Sequence, residues 1–172
     1  GDQPLVHHLD GIDAVVDPVG CTAYTEWTML FRNASARQQE ARAEVVLPAR
    51  GVVSRLTLWI DGEEREAAFG GRSQVKEAYR RVVQRRRDPV LVTTSGPDRV
   101  LVQCFPVPPN NGTMKIRVGI SSPIDLDSPG GGIVRLPYFA EHNFNLPAPD
   151  AHSIWVESKA ELMAAGLGHG LT

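Results

Sequence analysis

The chain has 172 residues, a hydrophobic content of 42%, a charged content of 22% and a net charge of −2. These values fit a soluble globular protein of one domain and exclude wholesale disorder. No window approaches the roughly 20 apolar residues of a membrane span, and the opening GDQPLVHH lacks the cationic-then-apolar pattern of a signal peptide. The 16 glycines and 13 prolines are spread along the chain, which favours many short strands joined by turns.

Alternation of apolar and polar residues predicts strands in the first third of the chain, at residues 24–32, 41–48 and 53–60. We expect the first two to pair as a hairpin. In the third strand, Leu56 and Leu58 share one face, whereas Thr57 and Trp59 lie on the other. Asp61-Gly62 then separates this strand from a second alternating run, which predicts a hairpin.

Strands are also predicted at residues 89–94 and 99–105, on either side of the turn SGPD. Asn111-Gly112 suits a tight turn with positive φ, and residues 113–120 follow it with the sharpest alternation in the chain. Four apolar residues of that strand are predicted to point inward (Met114, Ile116, Val118, Ile120), with Lys115 and Arg117 outward. Shorter strands are expected after residue 126, around a long proline-rich connection.

Residues 72–87, RSQVKEAYRRVVQRRR, are the one long segment with helical periodicity. Ser73 is suited to cap the N-terminus of a helix, and Asp88-Pro89 is suited to end one. An amphipathic helix is therefore predicted over about 73–87. The segment holds seven basic residues against Glu77 alone, a balance of +6, which leaves −8 on the remainder of the chain. The predicted fold is mainly β: an antiparallel β-sandwich with this one basic helix packed on it.

The arginines of that segment are the candidate partner-binding residues: Arg80, Arg81, Arg85, Arg86 and Arg87. Clustered guanidinium groups bind carboxylates or phosphates bidentately, so an acidic protein or a phospholipid surface is one interpretation. The alternative is a solvated face that keeps the helix soluble, which is the more common role of a run of charged residues. Nucleic acid is not expected, because the pI is about 6.2 and no aromatic residues are interleaved with the arginines.

Other candidate chemistry is weak. Cys21 and Cys104 either form one disulfide or are two separate core residues, and the sequence leaves both open. The five histidines are spaced as scattered surface residues, and the stretch from Asp125 to Gly130 only faintly resembles a calcium loop. No nucleophile elbow or phosphate loop occurs. The sequence therefore predicts no catalytic residue, metal or cofactor, although an unrecognised hydrolase stays a rival interpretation.

Five sequence segments in this order carry a family resemblance: LTLWIDG, the helix with EAYRRVV, DPVLV, RVLVQCFPVPP and the strand ending in GISSPI. Together they resemble a VIT domain, the module of inter-alpha-trypsin inhibitor heavy chains and the vault poly(ADP-ribose) polymerase, over about residues 20–125. The resemblance implies a β-sandwich with a helix and a role in interaction or scaffolding without catalysis. It further implies a secreted or membrane-anchored bacterial protein outside the cytoplasm, in some cases associated with exosortase-type sorting.

From this resemblance we expect residues 1–125 to form the VIT-like core with an N-terminal strand extension, and residues 126–172 to add strands that complete the same domain. The chain begins at Gly1 without an initiator methionine, so we expect a segment of a longer protein, whose other parts provide any membrane contact. A von Willebrand A domain often follows in this family. Its metal site opens with Asp-x-Ser-x-Ser, and no Asp-x-Ser occurs here, so either such a domain lies outside this chain or the parent protein lacks it.

Overall fold

The computed structural model describes residues 5–60, 63–67, 90–146 and 152–163, and these form twelve strands. In chain order the strands are β1 (Leu5–Asp17), β2 (Thr22–Asn33), β3 (Gln39–Val46), β4 (Val52–Ile60), β5 (Glu63–Ala67), β6 (Val90–Gly96), β7 (Arg99–Val107), β8 (Gly112–Pro123), β9 (Asp125–Ser128), β10 (Gly131–Ile133), β11 (Tyr138–His142) and β12 (His152–Ser158).

Two sheets carry most of these strands. A six-stranded sheet has the order β12-β1-β2-β8-β4-β5, and a four-stranded sheet has the order β11-β3-β7-β6. A separate hairpin joins β9 and β10. All the pairs are antiparallel except β1 with β12, which run parallel. The predicted hairpins β4–β5 and β6–β7 are confirmed by their pairing.

The core lies between the two sheets because every long strand alternates. Every second residue of β2 from Ala23 to Asn33 is buried, and the intervening residues are half-buried. The predicted inward residues of β8 are confirmed, since Met114, Ile116, Val118 and Ile120 are all buried. Residues of β3, β6 and β7 from the other sheet complete the same hydrophobic cluster. Each sheet therefore covers the apolar face of the other, which is the arrangement of a β-sandwich.

One end of the core is an aromatic cluster built around His7. The ring centroid of His7 lies 5.3 Å from that of Phe31, 5.5 Å from Phe139 and 5.6 Å from Phe144, and the His7 side chain is fully buried. Phe31 belongs to the six-stranded sheet and Phe139 to the four-stranded sheet, so the cluster joins the two. The interpretation of His7 as a surface histidine is wrong, because aromatic rings enclose it.

The predicted hairpin between residues 24–32 and 41–48 is also wrong. Instead β2 pairs with β1 and β8, whereas β3 pairs with β7 and β11, so the chain crosses from one sheet to the other between them. Asn33 fixes this crossing. Its buried amide donates to the carbonyl oxygens of Arg37 (2.7 Å) and Val107 (3.0 Å), and its Oδ1 accepts from the backbone N–H of Ser35 (3.0 Å). Where the chain leaves one sheet for the other, the backbone has no neighbouring strand to bond with, and the Asn33 side chain supplies hydrogen bonds to its polar groups instead.

The predicted fold is right in being mainly β but needs correction in its second part. The residues that the structure describes contain strands and no helix, and no amphipathic basic helix packs on the sandwich there. The physical reason is that the two sheets already bury their apolar faces against each other, so the described core does not need a helix to close it. Residues 73–87, on which the helix was predicted, lie outside the described residues.

The strands after residue 126 divide between the two sheets. β11 pairs with β3 at the edge of the four-stranded sheet, and β12 pairs with β1 at the edge of the six-stranded sheet. Phe144, just after β11, is buried in the common core. The division of the chain at residue 125 stays a prediction.

We predict that Ile116→Ala lowers the free energy of unfolding by about 3 kcal/mol, because it leaves a cavity in a close-packed core. Ile116 is fully buried at the centre of β8. The matched control is Ile133→Ala, which removes the same atoms from a side chain that is 41% exposed and is expected to cost less than about 1 kcal/mol. Urea unfolding of both variants measures the difference, and equal losses would contradict the assigned core.

Candidate functional site

The outer face of the six-stranded sheet, away from the four-stranded sheet, carries a cluster of cations on an aromatic ring. The ammonium of Lys115 lies 4.3 Å from the ring centroid of Trp59, and the guanidinium carbon of Arg117 lies 5.0 Å from it. Both distances are within the range of cation–π attraction. The ring therefore holds two positive charges side by side on one face.

Strand register explains why these three side chains meet. β4 and β8 are antiparallel neighbours, and Trp59 lies directly opposite Lys115 while Thr57 lies opposite Arg117. Directly opposed residues in a sheet project to the same face, with Cβ atoms about 5 Å apart. Because Ile116 and Leu58 point into the core, their neighbours along each strand must point outward.

Glu26 of β2 lies between the guanidinium groups of this face. Its carboxylate is 3.8 Å from Nε of Arg117 and 4.0 Å from Nη1 of Arg55, and Arg117 also donates to the hydroxyl of Thr28 at 3.2 Å. Half-exposed pairs at these distances contribute little to stability. Glu26 and Thr28 give Arg117 two polar neighbours on this face.

Tyr24 completes this face by lying over Gly119. A Cβ atom at position 119 would be 2.5 Å from the Tyr24 hydroxyl and 2.8 Å from Cβ of Arg55, so a larger residue there forces the ring away. The Tyr24 hydroxyl donates to Oε1 of Glu26 at 3.2 Å. Burial raises the pKa of Tyr24 above its ordinary value, and the negative charge of Glu26 raises this pKa further.

We call Arg55, Trp59, Lys115 and Arg117, together with Glu26, the cationic platform. It has three positive charges against one carboxylate, and the exposed Glu64 of β5 lies opposite Trp59 at its margin. Among the described residues, Lys115 forms no ion pair. The chemistry that this arrangement can perform is recognition of a carboxylate or another anion by pre-positioned cations.

Sequence reasoning chose other arginines as the binding residues. Arg80, Arg81, Arg85, Arg86 and Arg87 all lie outside the described residues, so their role stays a prediction. The platform was missed although part of its signal was present: Lys115 and Arg117 were predicted to point outward, and Trp59 was placed on the face of its strand opposite Leu56 and Leu58. What the sequence did not supply was the register that brings β4 beside β8.

The two cysteines are free thiols, so the disulfide that the sequence left open is not formed in this structure. Cys21 is half-buried in the turn between β1 and β2, where its thiol donates to the carbonyl oxygen of Pro18 at 3.6 Å. Cys104 is fully buried in β7. Burial raises the pKa of the Cys104 thiol well above its ordinary value, and the charge of Glu40 adds to the shift.

The residues resembling a calcium loop form the β9–β10 hairpin instead. Gly130 takes a φ of +80° at its tip, and the carboxylate of Asp125 lies 3.4 Å from Arg50 and 3.8 Å from Arg135. Within the described ranges no group of three histidine, cysteine, aspartate or glutamate side chains could hold a metal ion. In those ranges no helix is long and apolar enough to cross a membrane.

These features define a two-sheet β-module with a cluster of half-buried and exposed cations on the outer face of one sheet. Comparison with known families gives the particular class: the model of the vault protein inter-alpha-trypsin (VIT) domain matches residues 9–120. That match spans more than half of the chain, so the chain belongs to the VIT family, as its sequence segments predicted.

Other comparisons are more distant. No curated protein matches the chain. Among solved structures, an M1 zinc metallopeptidase mutant from Deinococcus radiodurans, bound to a Tyr-Ser-Ala substrate, is similar at 15% identity and a TM-score of 0.39. The alignment covers 76% of this chain and 23% of that structure. A likeness of this size carries no argument about activity.

We predict that a thiol reagent labels one cysteine in the folded protein and two after denaturation. A thiolate is the reactive species, and burial keeps Cys104 both protonated and covered, whereas Cys21 lies in a surface turn. Cys21→Ser should then leave no reactive thiol in the folded protein. Labelling with a chromogenic disulfide such as DTNB measures the count, and rapid native labelling of Cys104 would refute its placement in the core.

The Tyr24 contacts generate a pH prediction. Because the folded state raises the pKa of Tyr24 above 10.0, it holds this proton more tightly than the unfolded state, and stability is lost as pH rises above that value. We expect Glu26→Gln to lower this pKa, since it removes the negative charge beside the phenol. Carbon NMR of the tyrosine rings follows the titration.

The control for that titration is Glu44→Gln, which removes a carboxylate from the opposite sheet, where Glu44 pairs with Arg99. It should leave the Tyr24 titration unchanged. A Tyr24 pKa unaffected by Glu26→Gln would mean that the charge of Glu26 does not reach the phenol.

Proposed function

We propose that this VIT domain is a non-catalytic protein-interaction module of a larger protein, and that the cationic platform binds an acidic segment of its partner. The observation that carries the proposal is the placement of Lys115 and Arg117 on the ring of Trp59. An indole with two adjacent cations presents a rigid apolar surface and fixed charge together. Tryptophan and arginine are the residues most enriched at sites that dominate binding energy.

Charge favours a protein carboxylate over a polyphosphate as the ligand. The chain as a whole is acidic, with a net charge of −2, so a long polyanion meets repulsion outside the platform. Glu26 within the platform also repels a dense array of phosphates. A short acidic segment instead places one or two carboxylates beside Lys115 and Arg117 and keeps its remaining charge away from the body of the domain.

The setting of the module follows from its family. VIT domains occur in secreted proteins and are generally non-catalytic, and we propose an extracytoplasmic location for this one within a secreted or membrane-anchored protein. A link to exosortase-type sorting and a neighbouring von Willebrand A domain stay predictions from the resemblance. Binding of an anionic surface through the arginines of residues 80–87 likewise stays a prediction from sequence.

A blocked tetrapeptide that contains two glutamates tests the proposal, with the three indole N–H resonances of the protein as site-specific probes. We predict that the peptide shifts the indole resonance of Trp59 and leaves those of Trp27, which is buried, and Trp155, on the far edge strand, unchanged. The affinity should fall as salt rises toward about 0.15 M. Proton–nitrogen NMR titration measures both effects.

Charge variants make that test specific. Lys115→Glu should weaken binding at the Trp59 site by about tenfold, whereas Lys115→Arg should preserve it. Arg135→Glu makes the same charge change at the β9–β10 hairpin, where Arg135 lies near Asp125, and serves as the matched control. An unmoved Trp59 resonance, with shifts confined to residues 80–87, would overturn the platform and favour the arginines of that segment as the binding residues.

A further inference from the structure

A second surface on this domain is the free edge of β12. This strand is the last of the six-stranded sheet and pairs on one side only, in parallel register with β1 from Asp10↔His152 to Val16↔Ser158. No other strand in the described part of the chain pairs with its outer side. One row of its backbone N–H and C=O groups is therefore available to an added strand.

The edge lacks the features by which most proteins block such pairing. Residues 152–158, HSIWVES, contain no proline and no lysine, and their register with β1 has no bulge. By contrast, the pairings of β11 with β3 and of β6 with β7, at the edges of the four-stranded sheet, each contain a register shift. β5, the other edge of the six-stranded sheet, also pairs without a shift but has 5 residues, so β12, with 7, is the longer of the two regular edges.

Large apolar side chains are exposed on both faces of this strand. Ile154 is 54% exposed and Trp155 is 62% exposed. Ile154 lies opposite Ile12, which is buried, so the core ends at β1 and the apolar surface continues past it onto β12. An added strand would cover Ile154 with one of its faces and Trp155 with the other.

Two acidic residues neighbour Trp155 on the outer face of the sheet. Trp155 is directly opposite Asp13 in the register with β1, and its Nε1–H donates to Oε1 of Glu157 at 2.9 Å. Asp13 and Glu157 are exposed and form no ion pair with another described residue. The face of an indole attracts a lysine or arginine side chain through a cation–π contact, and neighbouring carboxylates add ionic attraction.

We propose that β12 binds an extended segment of a partner protein in which apolar and basic residues alternate. The segment pairs with the free backbone groups of β12, its apolar side chains cover Ile154, and a basic side chain lies on Trp155 between Asp13 and Glu157. Main-chain pairing gives the affinity of such strand addition, and the alternate side chains give its specificity. This site is independent of the cationic platform, which has the opposite charge.

Charge also decides against a second copy of the chain as the occupant. Pairing of β12 with itself across a two-fold axis adds the Asp13 and Glu157 carboxylates of a second copy to those of the first, and the nearest described cation in sequence is Lys159, beyond the end of the strand. A basic segment meets the same two carboxylates with complementary charge. Like charges near each other across a strand pair destabilise it.

The test uses a blocked heptapeptide that alternates valine and lysine as the probe, titrated into the whole chain and followed by proton–nitrogen NMR. We expect shifts in the Trp155 indole and in the backbone amides of β12, with the Trp59 indole unchanged. A peptide alternating valine and glutamate should bind at least about tenfold more weakly. A valine–lysine peptide with its central valine replaced by proline should also lose binding, because it lacks a ladder hydrogen bond and fits an added strand poorly.

Protein variants separate the contributions of charge and edge. Asp13→Asn with Glu157→Gln should weaken binding of the lysine peptide by about tenfold, whereas Asp127→Asn with Glu44→Gln, two carboxylates away from this edge, should leave it unchanged. Equal affinity for the lysine and glutamate peptides, or shifts at another strand edge with β12 unmoved, would overturn the proposal. Concentration-dependent dimerisation that Ile154→Lys abolishes, measured by sedimentation, would assign the edge to a second copy and would also overturn it.

Discussion

The pairing of β2 with β8 is the interaction on which both faces of the domain depend. The two strands match over twelve residue pairs, from Thr22↔Pro123 to Asn33↔Gly112, without a register shift. On the inner side this register places Trp27 opposite Val118 in the core. On the outer side it places Thr28 opposite Arg117. A slip of one residue would exchange the two faces, so core and recognition surface are fixed by one set of hydrogen bonds.

The charges on the outer face of the six-stranded sheet are unevenly distributed. Its β4–β8 side holds the cations Arg55, Lys115 and Arg117 together with the carboxylates of Glu26 and of Glu64 on β5, whereas its β1–β12 side holds Asp13 and Glu157. These charges lie on one continuous sheet, and strand pairing fixes the spacing between its strands. The distance between the two groups of charges is therefore fixed. Such a pattern favours partners in a particular orientation and disfavours those with the reverse charge order.

The sequence predicted the strands and their faces well where the alternation was strict. In β8 the four inward residues and both outward cations were correctly assigned, since burial of one face imposes a period of two on the sequence. Positive φ at Asn110 and Asn111 likewise agrees with the predicted turn there. Pairing partners were less predictable: β2 and β3 are adjacent in sequence and separated by a short turn, yet they belong to different sheets.

The candidate site illustrates the same limit. Trp59 and Lys115 are 56 positions apart in sequence, and nothing local to either residue indicates that β4 and β8 are neighbours. The arginine-rich segment was predicted to bind a partner because its charges are contiguous in sequence. The charges of the platform come instead from three strands. His7 was misassigned for a related reason: the aromatic rings that enclose it come from residues 31, 139 and 144.

The last two strands bear on where this domain can be cut. The family match ends at residue 120, inside β8, yet Phe139 and Phe144 pack around His7, and β11 and β12 cover the outer edges of β3 and β1. A fragment trimmed to the matched range would expose two sheet edges and leave a hole beside Phe31. The two sheets thus extend beyond the range that the family model matches, and we expect a transplanted module to need both closing strands.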